Sequence, residues 1–321
     1  MNTNTAIVLG CSGQDGSLLS KSLLKKGQRV IGLTRSKPNK IKNHIKLGIN
    51  NDIEIRQGDI NSPTTIQYLI DHYQPDSIFN LAAQSSVGKS FDHPTETLHS
   101  IVNGTLNILE ISRKTKYKGK LFFAGSSEMF GNTEKAAGVK HQQKPMSPYG
   151  VAKQASYNLV KLYREVYKLN CVTGILFNHE SNLRDDTFVV PKIIKSAFDI
   201  KNNNFKNKVK FGDISIIRDW GWAPEYVEAM QLISESKQLN DHVICSGEAN
   251  SLQVFIEKVF SIFELDWEEH IEIDQTLFRE QEIAKSYGNP DFLFKKLGWK
   301  SKVDLDSIIK KLTSSPNCNK I

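Results

Sequence analysis

The chain has 321 residues, of which 39% are hydrophobic, so it is long enough for one sizeable core and a smaller lobe. Its formal charge of +7 suits acidic ligands such as dinucleotides, but lysine and arginine are spread along the chain, and we expect no nucleic-acid partner. No leader pattern and no apolar run of membrane-spanning length occur, which predicts a cytoplasmic protein without a membrane partner. The four cysteines lie far apart, so we expect neither disulfides nor a metal site.

A glycine-rich turn follows the first predicted strand. The apolar run at 6–9 leads directly into GCSGQDG at 10–16, and a helical pattern of leucines begins at Leu18. A strand, a glycine turn and a helix in this order form a cradle for a nucleotide pyrophosphate. The first glycine allows the turn, the second admits the phosphates, and the third lets the helix pack on its strand. The residues predicted to bind the dinucleotide are Gly10, Gly13, Gln14, Asp15 and Gly16.

The end of the second predicted strand, 29–33, indicates which dinucleotide is used. An NAD enzyme commonly has an acidic residue here, against the ribose 2′-hydroxyl. This chain has Thr34, Arg35 and Ser36 instead. A guanidinium can bind a 2′-phosphate by charge-assisted hydrogen bonds, and no carboxylate is present to repel that phosphate. Arg35 therefore favours NADP over NAD, the alternative being that Arg35 is a solvated charge in a basic loop.

Strand-like and helical patterns alternate along the first half of the chain. Short apolar runs, the last of them at 171–177, are separated by helical patterns such as the one at 63–73. This alternation predicts an α/β fold with a Rossmann-type, doubly wound parallel sheet. After residue 177 the pattern changes to a mixture of short elements. We therefore expect an NADP-binding domain at 1–177, to which some later segments return, and a smaller, mixed α/β substrate lobe at 178–321.

Tyr149 and Lys153 are four residues apart at the start of a predicted helix, so their side chains share a face. An ammonium beside a phenol favours the phenolate, which predicts a lowered pKa for Tyr149 and a general base usable near neutral pH. Tyr157 and Lys161 repeat the spacing about 12 Å further along the helix, away from the edge of the sheet where ligands bind. We therefore predict that Tyr149 is the base and that Tyr157 is a packing residue.

A hydroxyl and a carboxylate follow the strand predicted to end near Ala124. Gly125, Ser126, Ser127 and Glu128 are expected in a loop at the carboxyl edge of the sheet. Ser126 can hydrogen-bond a hydroxyl that is being oxidised, whereas Glu128 is a proton carrier that simple hydride transfer would not require. The alternative is a turn in which both side chains only cap backbone N–H groups.

Six motifs are spread over most of the chain: GCSGQDG at 10–16, NLAA at 80–83, SSE at 126–128, SPYGVAK at 147–153, GILFNHES at 174–181 and RDWG at 218–221. Together they resemble the GDP-mannose 4,6-dehydratase family of extended short-chain dehydrogenases. The resemblance implies oxidation of the sugar at C4, loss of water across C5 and C6, and return of the hydride to C6. The cofactor would end each turnover as it began.

The resemblance also implies roles for individual residues. Tyr149 would be the base, Lys153 would hold Tyr149 and the nicotinamide ribose, and Ser126 would position the sugar 4-hydroxyl. Glu128 would remove the C5 proton and protonate the departing C6 hydroxyl. Further cofactor contacts are implied for Asp59, Ile60, Leu81, Ala82 and Ala83. Nucleotide-sugar contacts are implied for Ser85, Ser127, Asn178, Glu180, Val190, Lys192, Arg218, Arg279 and Glu282, with the two arginines facing the diphosphate.

Some positions depart from the family pattern. Arg35 stands alone where the family commonly has two arginines, SSV at 85–87 replaces Ser-His-Val, and WGW at 220–222 replaces Trp-Gly-His. A GDP-sugar of manno type is the leading prediction, and another base or sugar stays open. A 4-keto-sugar reductase or epimerase is the alternative enzyme, and a non-catalytic NADP-binding protein is the remote one. A homodimer or homotetramer is expected from the resemblance.

Overall fold

The computed structural model describes residues 4–37, 41–202, 207–279 and 281–314. Cys11, Cys171 and Cys245 are buried free thiols, whereas Cys318 lies outside the described residues. No helix in these ranges is both long enough and apolar enough to cross a membrane.

The strands are, in chain order, β1 Thr5–Leu9, β2 Arg29–Thr34, β3 Glu54–Gln57, β4 Ser77–Asn80, β5 Lys120–Ser126, β6 Cys171–Leu176, β7 Asn178–Glu180, β8 Val209–Phe211, β9 Ile217–Arg218, β10 Trp220–Trp222, β11 His242–Ile244, β12 Asn250–Ser251, β13 Ile271–Ile273 and β14 Lys285–Ser286.

The helices are α1 Gln14–Lys25, α2 Lys42–Leu47, α3 Pro63–Tyr73, α4 Val87–Asp92, α5 Pro94–Leu98, α6 Gly104–Lys114, α7 Pro148–Val166, α8 Val189–Lys201, α9 Ala223–Glu235, α10 Leu252–Ile262, α11 Trp267–His270, α12 Asp291–Leu297 and α13 Leu305–Thr313. A π-helical turn at His99–Asn103 joins α5 to α6, and 3₁₀ turns lie at Ser127–Met129 and Gln275–Leu277.

Seven parallel strands form the central sheet, in the order β3-β2-β1-β4-β5-β6-β11. The strand order reverses between β1 and β4, where the chain first crosses from one half of the sheet to the other. In open sheets of this kind ligands bind outside the carboxyl ends of the strands at such a switch point. The predicted doubly wound, Rossmann-type fold is confirmed.

Helices cover both faces of this sheet, which explains why its strands are apolar throughout. In β1, Ala6 and Val8 pack in a cluster with residues of α1 and α9. Ile7 and Leu9 point to the other face and pack in a cluster with residues of α3, α6 and α7. Alternate residues of one strand thus support two separate helical layers.

Segments from the second half of the chain contribute to both the sheet and a further core. Strand β11 pairs with β6, and α9 packs against α1. Helices α8, α10 and α13 enclose their own buried cluster, which includes Trp220. Small sheets β7-β10, β9-β12-β14 and β8-β13 surround this core. The domain division at residue 177 stays a prediction.

One local prediction was wrong. Gly125 and Ser126 belong to strand β5 rather than a loop, because β5 continues to pair with β6 as far as Ser126 and Leu176. Between β4 and β5 the chain forms three helices, α4, α5 and α6. The break between α4 and α5 falls at His93, whose φ of −128° is not helical, and Pro94 begins the next helix.

Candidate active site

The three glycines of the turn between β1 and α1 meet different surroundings. Gly10 has a φ of +81°, and a Cβ there would lie 2.8 Å from the Ala82 Cα. A Cβ on Gly16 would lie 2.2 Å from the Gly10 carbonyl oxygen, so this glycine is needed for the close packing of α1. Gly13 precedes α1 and has only one ordinary contact, at 3.6 Å. Its lack of a side chain keeps the helix N-terminus open, as a pyrophosphate requires.

This turn forms one end of a cleft at the carboxyl edge of the sheet. The predicted cofactor residues that line this cleft are Gly10, Gly13, Gln14, Asp15, Gly16, Arg35, Asp59, Ile60, Leu81, Ala82 and Ala83. We call it the cofactor cleft. Tyr149 and Lys153, the other two predicted cofactor residues, line the adjoining cleft described below.

Neutral and cationic groups surround the Arg35 end of the cofactor cleft. The hydroxyl groups of Ser12 and Thr34 are 2.9 Å apart, and the Ser36 N–H donates to Thr34 Oγ1 at 3.1 Å. These bonds fix the loop on which Arg35 is exposed at the cleft wall. The carboxylate of Asp59 is turned toward Asn61, whose backbone N–H donates to it at 2.8 Å.

A second cleft brings the predicted catalytic residues together. Its lining includes the predicted residues Ser126, Glu128, Tyr149, Lys153, Ser85, Ser127, Asn178, Arg218 and Arg279. We call it the substrate cleft. The two clefts share a wall formed by Asp15, Leu81, Ala83, Ser85 and Arg184.

Helix α7 carries the tyrosine and lysine, and its first turn is tightly defined. Ser147 caps the helix by accepting the Gly150 N–H at 3.0 Å, and Pro148 occupies the first turn. The Lys153 ammonium donates to the Ala124 carbonyl at 2.7 Å and lies 5.7 Å from the centre of the Tyr149 ring. Both side chains are therefore held at the carboxyl end of β5.

The predicted lowering of the Tyr149 pKa is wrong for the protein alone. Burial raises the pKa of Tyr149 to about 12, against an opposing hydrogen bond from Ser126, because desolvation penalises the phenolate. Burial likewise lowers the pKa of Lys153 to about 8, although Asp15 opposes this. Tyr157 packs instead in a buried cluster with Met129.

Glu128 is half-buried, and opposing influences act on the pKa of its carboxyl group. Burial raises its pKa, and Glu282 adds to this, while the positive charges of Arg218 and Arg279 oppose the rise. The Glu128 backbone N–H donates to Ser126 Oγ at 3.3 Å, so the Ser126 side chain caps the turn that carries Glu128. The group can hold or release a proton inside the cleft.

Arg218 and Arg279 are paired with one carboxylate. Glu282 lies 2.7 Å from Arg218 and 3.0 Å from Arg279, so it bridges the two guanidinium groups. Arg218 also donates to the Ile283 carbonyl at 2.6 Å and is buried, whereas Arg279 is exposed. A cation pair of this kind at a cleft wall suits a phosphate-bearing ligand.

Three residues that were predicted to contact the nucleotide sugar do not line the substrate cleft and make other contacts. Val190 is 1% exposed and packs in the core around α8, α10 and α13. Lys192 donates to the Lys210 carbonyl at 2.6 Å. Glu180 is buried and forms an ion pair with Arg184, with 3.2 Å between Nε and Oε2.

His179 and Arg184 are two residues of this region to which the sequence reasoning assigned no role. His179 Nε2 lies 2.9 Å from a carboxylate oxygen of Asp15, and its Nδ1 lies 2.7 Å from the Phe177 carbonyl. Although burial works against both charges, the pair holds the pKa of Asp15 at about 2 and raises that of His179. The sequence offered one signal for a role of His179 and Arg184, namely that they are polar residues shortly after the buried strand β6.

The sequence of this chain is similar to those of known proteins over most of its length. The family model described as GDP-mannose 4,6 dehydratase matches residues 7–312. This chain belongs to the GDP-mannose 4,6-dehydratase family. The protein described as GDP-mannose 4,6 dehydratase 1 of Arabidopsis thaliana is 36% identical over 316 residues, which are 95% of this chain and 87% of that protein. The predicted family is thus confirmed, and with it the assignment as a nucleotide-sugar 4,6-dehydratase.

Solved structures share the fold at low sequence identity. A dTDP-glucose 4,6-dehydratase of Bacillus anthracis, in complex with NAD, superposes with a TM-score of 0.86 at 16% identity, covering 99% of this chain and 98% of that one. The protein RMD of Pseudomonas aeruginosa, complexed with NADPH, gives 0.80 at 21% identity and covers 97% and 98%.

Proposed function

We propose that this protein converts GDP-mannose, or a closely related GDP-sugar, to its 4-keto-6-deoxy form with loss of water. The observation that carries the proposal is the placement of Glu128 in the same cleft as Tyr149 and Lys153. A hydride-transfer site needs the tyrosine and the lysine, and a dehydratase needs one more proton carrier beside them. Arg218 and Arg279 supply cations for the diphosphate.

NADP is the proposed cofactor, with NAD as the less favoured alternative. The Gly13 position leaves space that a Cβ would fill, and Arg35 adds a cation beside Ser12, Thr34 and Ser36. These groups can donate hydrogen bonds to a 2′-phosphate. When bound, the nicotinamide ring accepts a hydride and returns it.

Tyr149 and Ser126 act on the sugar 4-hydroxyl in this proposal. Ser126 hydrogen-bonds Tyr149 and holds the hydroxyl, and Tyr149 accepts its proton as C4 loses hydride. The buried ammonium of Lys153 is fixed by Ala124 and stabilises the phenolate form of Tyr149. Tyr149 thus carries one proton at the end of the oxidation.

Glu128 acts on C5 and C6. The ketone at C4 acidifies the C5 proton, Glu128 accepts that proton, and it then protonates the hydroxyl that leaves C6 as water. Return of the hydride to C6 and of one proton to C5 completes the 4-keto-6-deoxy sugar, and that proton balances the one that Tyr149 took from the 4-hydroxyl. Arg218 and Arg279 hold the diphosphate throughout.

Mass spectrometry of GDP-mannose incubated with the protein and NADP tests the proposal. We expect loss of one water from the sugar nucleotide without net consumption of NADP. The Glu128→Gln variant should still bind NADP but lose no water, whereas Glu264→Gln, at an exposed surface ion pair, should be active. If GDP-mannose is unchanged and a different nucleotide sugar loses water, that nucleotide sugar is the substrate instead.

Two other results would support the alternative enzymes. Stoichiometric oxidation of NADPH by a keto-sugar would indicate a 4-keto-sugar reductase, and interconversion of two epimeric sugars would indicate an epimerase. A homodimer or homotetramer and a cytoplasmic location stay predictions.

A further inference from the structure

A buried carboxylate next to Arg218 accepts hydrogen bonds from two other segments of the chain. Asp219 is 0% exposed, and one of its carboxylate oxygens accepts the Ser246 N–H at 2.8 Å and the Ser246 hydroxyl at 2.7 Å. Its second oxygen accepts the N–H groups of Gly247 and Gly288, at 2.9 and 3.3 Å. Asp219 lines neither the cofactor cleft nor the substrate cleft, so any effect that it has on a ligand passes through other residues.

The donors to this carboxylate belong to the two neighbours of the strand that carries Arg218. Strand β9 lies between β12 and β14 in the small sheet β12-β9-β14. The loop at 246–247 follows β11 and leads into β12, whose residue Asn250 pairs with Arg218. Gly288 follows β14, whose residue Ser286 pairs with Arg218 from the other side. One carboxylate therefore joins all three strands of the small sheet.

We propose that Asp219 is a positioning residue, which holds Arg218 where it can bind the diphosphate of the nucleotide sugar. The inference rests on the proposed function, in which Arg218 is a ligand of the diphosphate. The guanidinium of Arg218 is fixed at its own end by Glu282 and by the Ile283 carbonyl, at 2.7 and 2.6 Å. Glu282 and Ile283 lie just before β14, so their position also depends on the hydrogen bond that Gly288 donates to Asp219.

The hydrogen bonds of Asp219 also relate Arg218 to the catalytic residues. The loop at 246–247 is the continuation of β11, which pairs with β6 in the central sheet. Strand β6 pairs in turn with β5, which ends at Ser126 in the substrate cleft. Asp219 thus attaches the small sheet, with its cation for the diphosphate, to the sheet that carries the residues acting on the sugar. A ligand held at both ends needs this separation to be constant.

Asp219 can accept all four hydrogen bonds only as a carboxylate. Burial raises its pKa to about 6, although the hydrogen bonds oppose this rise, so the group is ionised at about pH 8. Asparagine has nearly the same shape, but its amide nitrogen donates and cannot accept. Whichever oxygen that nitrogen replaces, a backbone N–H loses its acceptor. Asp219→Asn therefore disturbs the contacts with a minimal change of volume.

Binding of GDP-mannose to the NADPH-loaded protein at about pH 8 tests the inference. NADPH cannot accept a hydride, so the nucleotide sugar binds without being oxidised. We expect Asp219→Asn to weaken the binding of GDP-mannose about tenfold, because Arg218 is no longer held for its charge-assisted hydrogen bonds. The affinity for NADP should be unchanged, since Asp219 lies outside the cofactor cleft. Calorimetric titrations measure both affinities.

The variant Arg218→Met shows whether Asp219 acts through Arg218. Methionine keeps an apolar stem but cannot bind a phosphate, and Glu282 retains Arg279 as its partner. This variant alone should bind GDP-mannose at least about tenfold more weakly. Adding Asp219→Asn to it should change the affinity by less than about twofold, because the effects of two residues that act through one contact are not additive.

Glu225→Gln is the matched control for a general loss of stability. Glu225 on α9 accepts the Ser301 hydroxyl at 2.9 Å and the backbone N–H groups of the next two residues at 3.1 and 3.3 Å, so it also joins separate segments. The variant should unfold at lower urea concentration than the unmodified protein. Its affinity for GDP-mannose should be unchanged.

A milder variant serves if Asp219→Asn does not fold. Ser246→Ala removes only the hydroxyl donor to Asp219 and should weaken the binding of GDP-mannose about threefold. This loss should likewise disappear when Arg218 is replaced by methionine.

The outcomes separate the two proposals. Failure of the unmodified protein to bind GDP-mannose, or full affinity in Arg218→Met, would contradict the proposed function. Full affinity in Asp219→Asn, or in Ser246→Ala where the first variant does not fold, would overturn the inference and leave the proposed function in place. An equal loss of affinity with and without Arg218 would overturn it as well.

Discussion

Individual glycines of the turn between β1 and α1 have separable tasks. A Cβ on Gly16 would meet backbone atoms of Gly10 and Cys11, which cannot move without disturbing the turn. A Cβ on Gly13 would meet only one atom at ordinary contact distance and would otherwise project toward the cofactor cleft. One glycine therefore serves the packing of α1, and the other serves the ligand.

Gly16→Ala should destabilise the protein by about 1–3 kcal/mol, the usual cost of overpacking. Gly13→Ala should keep the free energy of unfolding close to that of the unmodified protein but lose affinity for NADP. Gly138→Ala is the control, because a Cβ there meets no atom within 4 Å. Urea unfolding and a cofactor titration measure both quantities. Equal losses of stability for Gly13→Ala and Gly16→Ala would contradict this assignment.

Arg35 is the residue on which the proposed choice of NADP depends. Arg35→Glu should weaken NADP binding by about 10–100-fold, since a charge-assisted hydrogen bond is lost and a repelling carboxylate is gained. Binding of NAD, which lacks the 2′-phosphate, should change much less. Fluorescence titrations with both dinucleotides test this. Parallel losses for NADP and NAD would mean that Arg35 does not contact the 2′-phosphate.

At the scale of elements, α1 is attached to β7 by side chains next to the glycine turn. Gln14 donates to the His179 carbonyl at 3.2 Å and accepts from Ser181 at 2.8 Å, and Asp15 pairs with His179 at 2.9 Å. The His179 ring also stacks on Tyr226 of α9, with 4.5 Å between ring centres. These contacts fix the wall shared by the cofactor and substrate clefts.

The stabilisation from the Asp15–His179 pair should depend on pH. Because the folded pKa of His179 lies above its usual value, this contribution is complete below about pH 6.5 and is lost as pH rises through the higher folded value. Asp15→Asn should therefore cost roughly 2 kcal/mol at about pH 6 and clearly less at about pH 9. Glu264→Gln should cost little at either pH, since its partner is exposed. Urea unfolding of both variants gives the comparison, and an unchanged difference for Asp15→Asn would show that charge on His179 is not involved.

The sequence predicted those elements whose ends are determined by residues close by in the chain. The turn at 10–16, helix α3 with its proline start, and the first turn of α7 all follow from glycine, proline and capping residues. The end of β5 could not be predicted, because its last residues are held by pairing with β6, which lies far along the chain. The raised pKa of Tyr149 depends on burial by many segments, and the contact between Asp15 and His179 joins residues 164 positions apart. Such long-range effects leave no local pattern.

For the whole molecule, one buried ion pair attaches the last strand of the sheet to helix α7. Arg164 donates two hydrogen bonds to the Asp241 carboxylate, at 2.7 and 2.6 Å, just before β11 begins. Asp241 also accepts the backbone N–H of Thr173 in β6 at 2.8 Å. The position of β11 therefore depends on a carboxylate with only 5% of its side chain exposed.

Arg164→Ala should destabilise the protein by about 3–5 kcal/mol, because it leaves the Asp241 carboxylate buried without its cation. Lys26→Ala, which removes an exposed ion pair with Glu235, should cost less than about 1 kcal/mol. Thermal or urea unfolding measures both. A cost for Arg164→Ala as small as that for Lys26→Ala would mean that water reaches Asp241 and replaces the guanidinium.

Strand β11 completes the edge of the sheet although it is synthesised some seventy residues after β6. While the chain is still emerging from the ribosome, β6 has an unpaired edge, and α1 lacks the covering helix α9. An open edge of this kind can pair with other nascent chains and cause aggregation. A fragment ending at residue 177 would retain both exposed surfaces permanently, so the dinucleotide-binding half is not expected to be obtained in soluble form by truncation there.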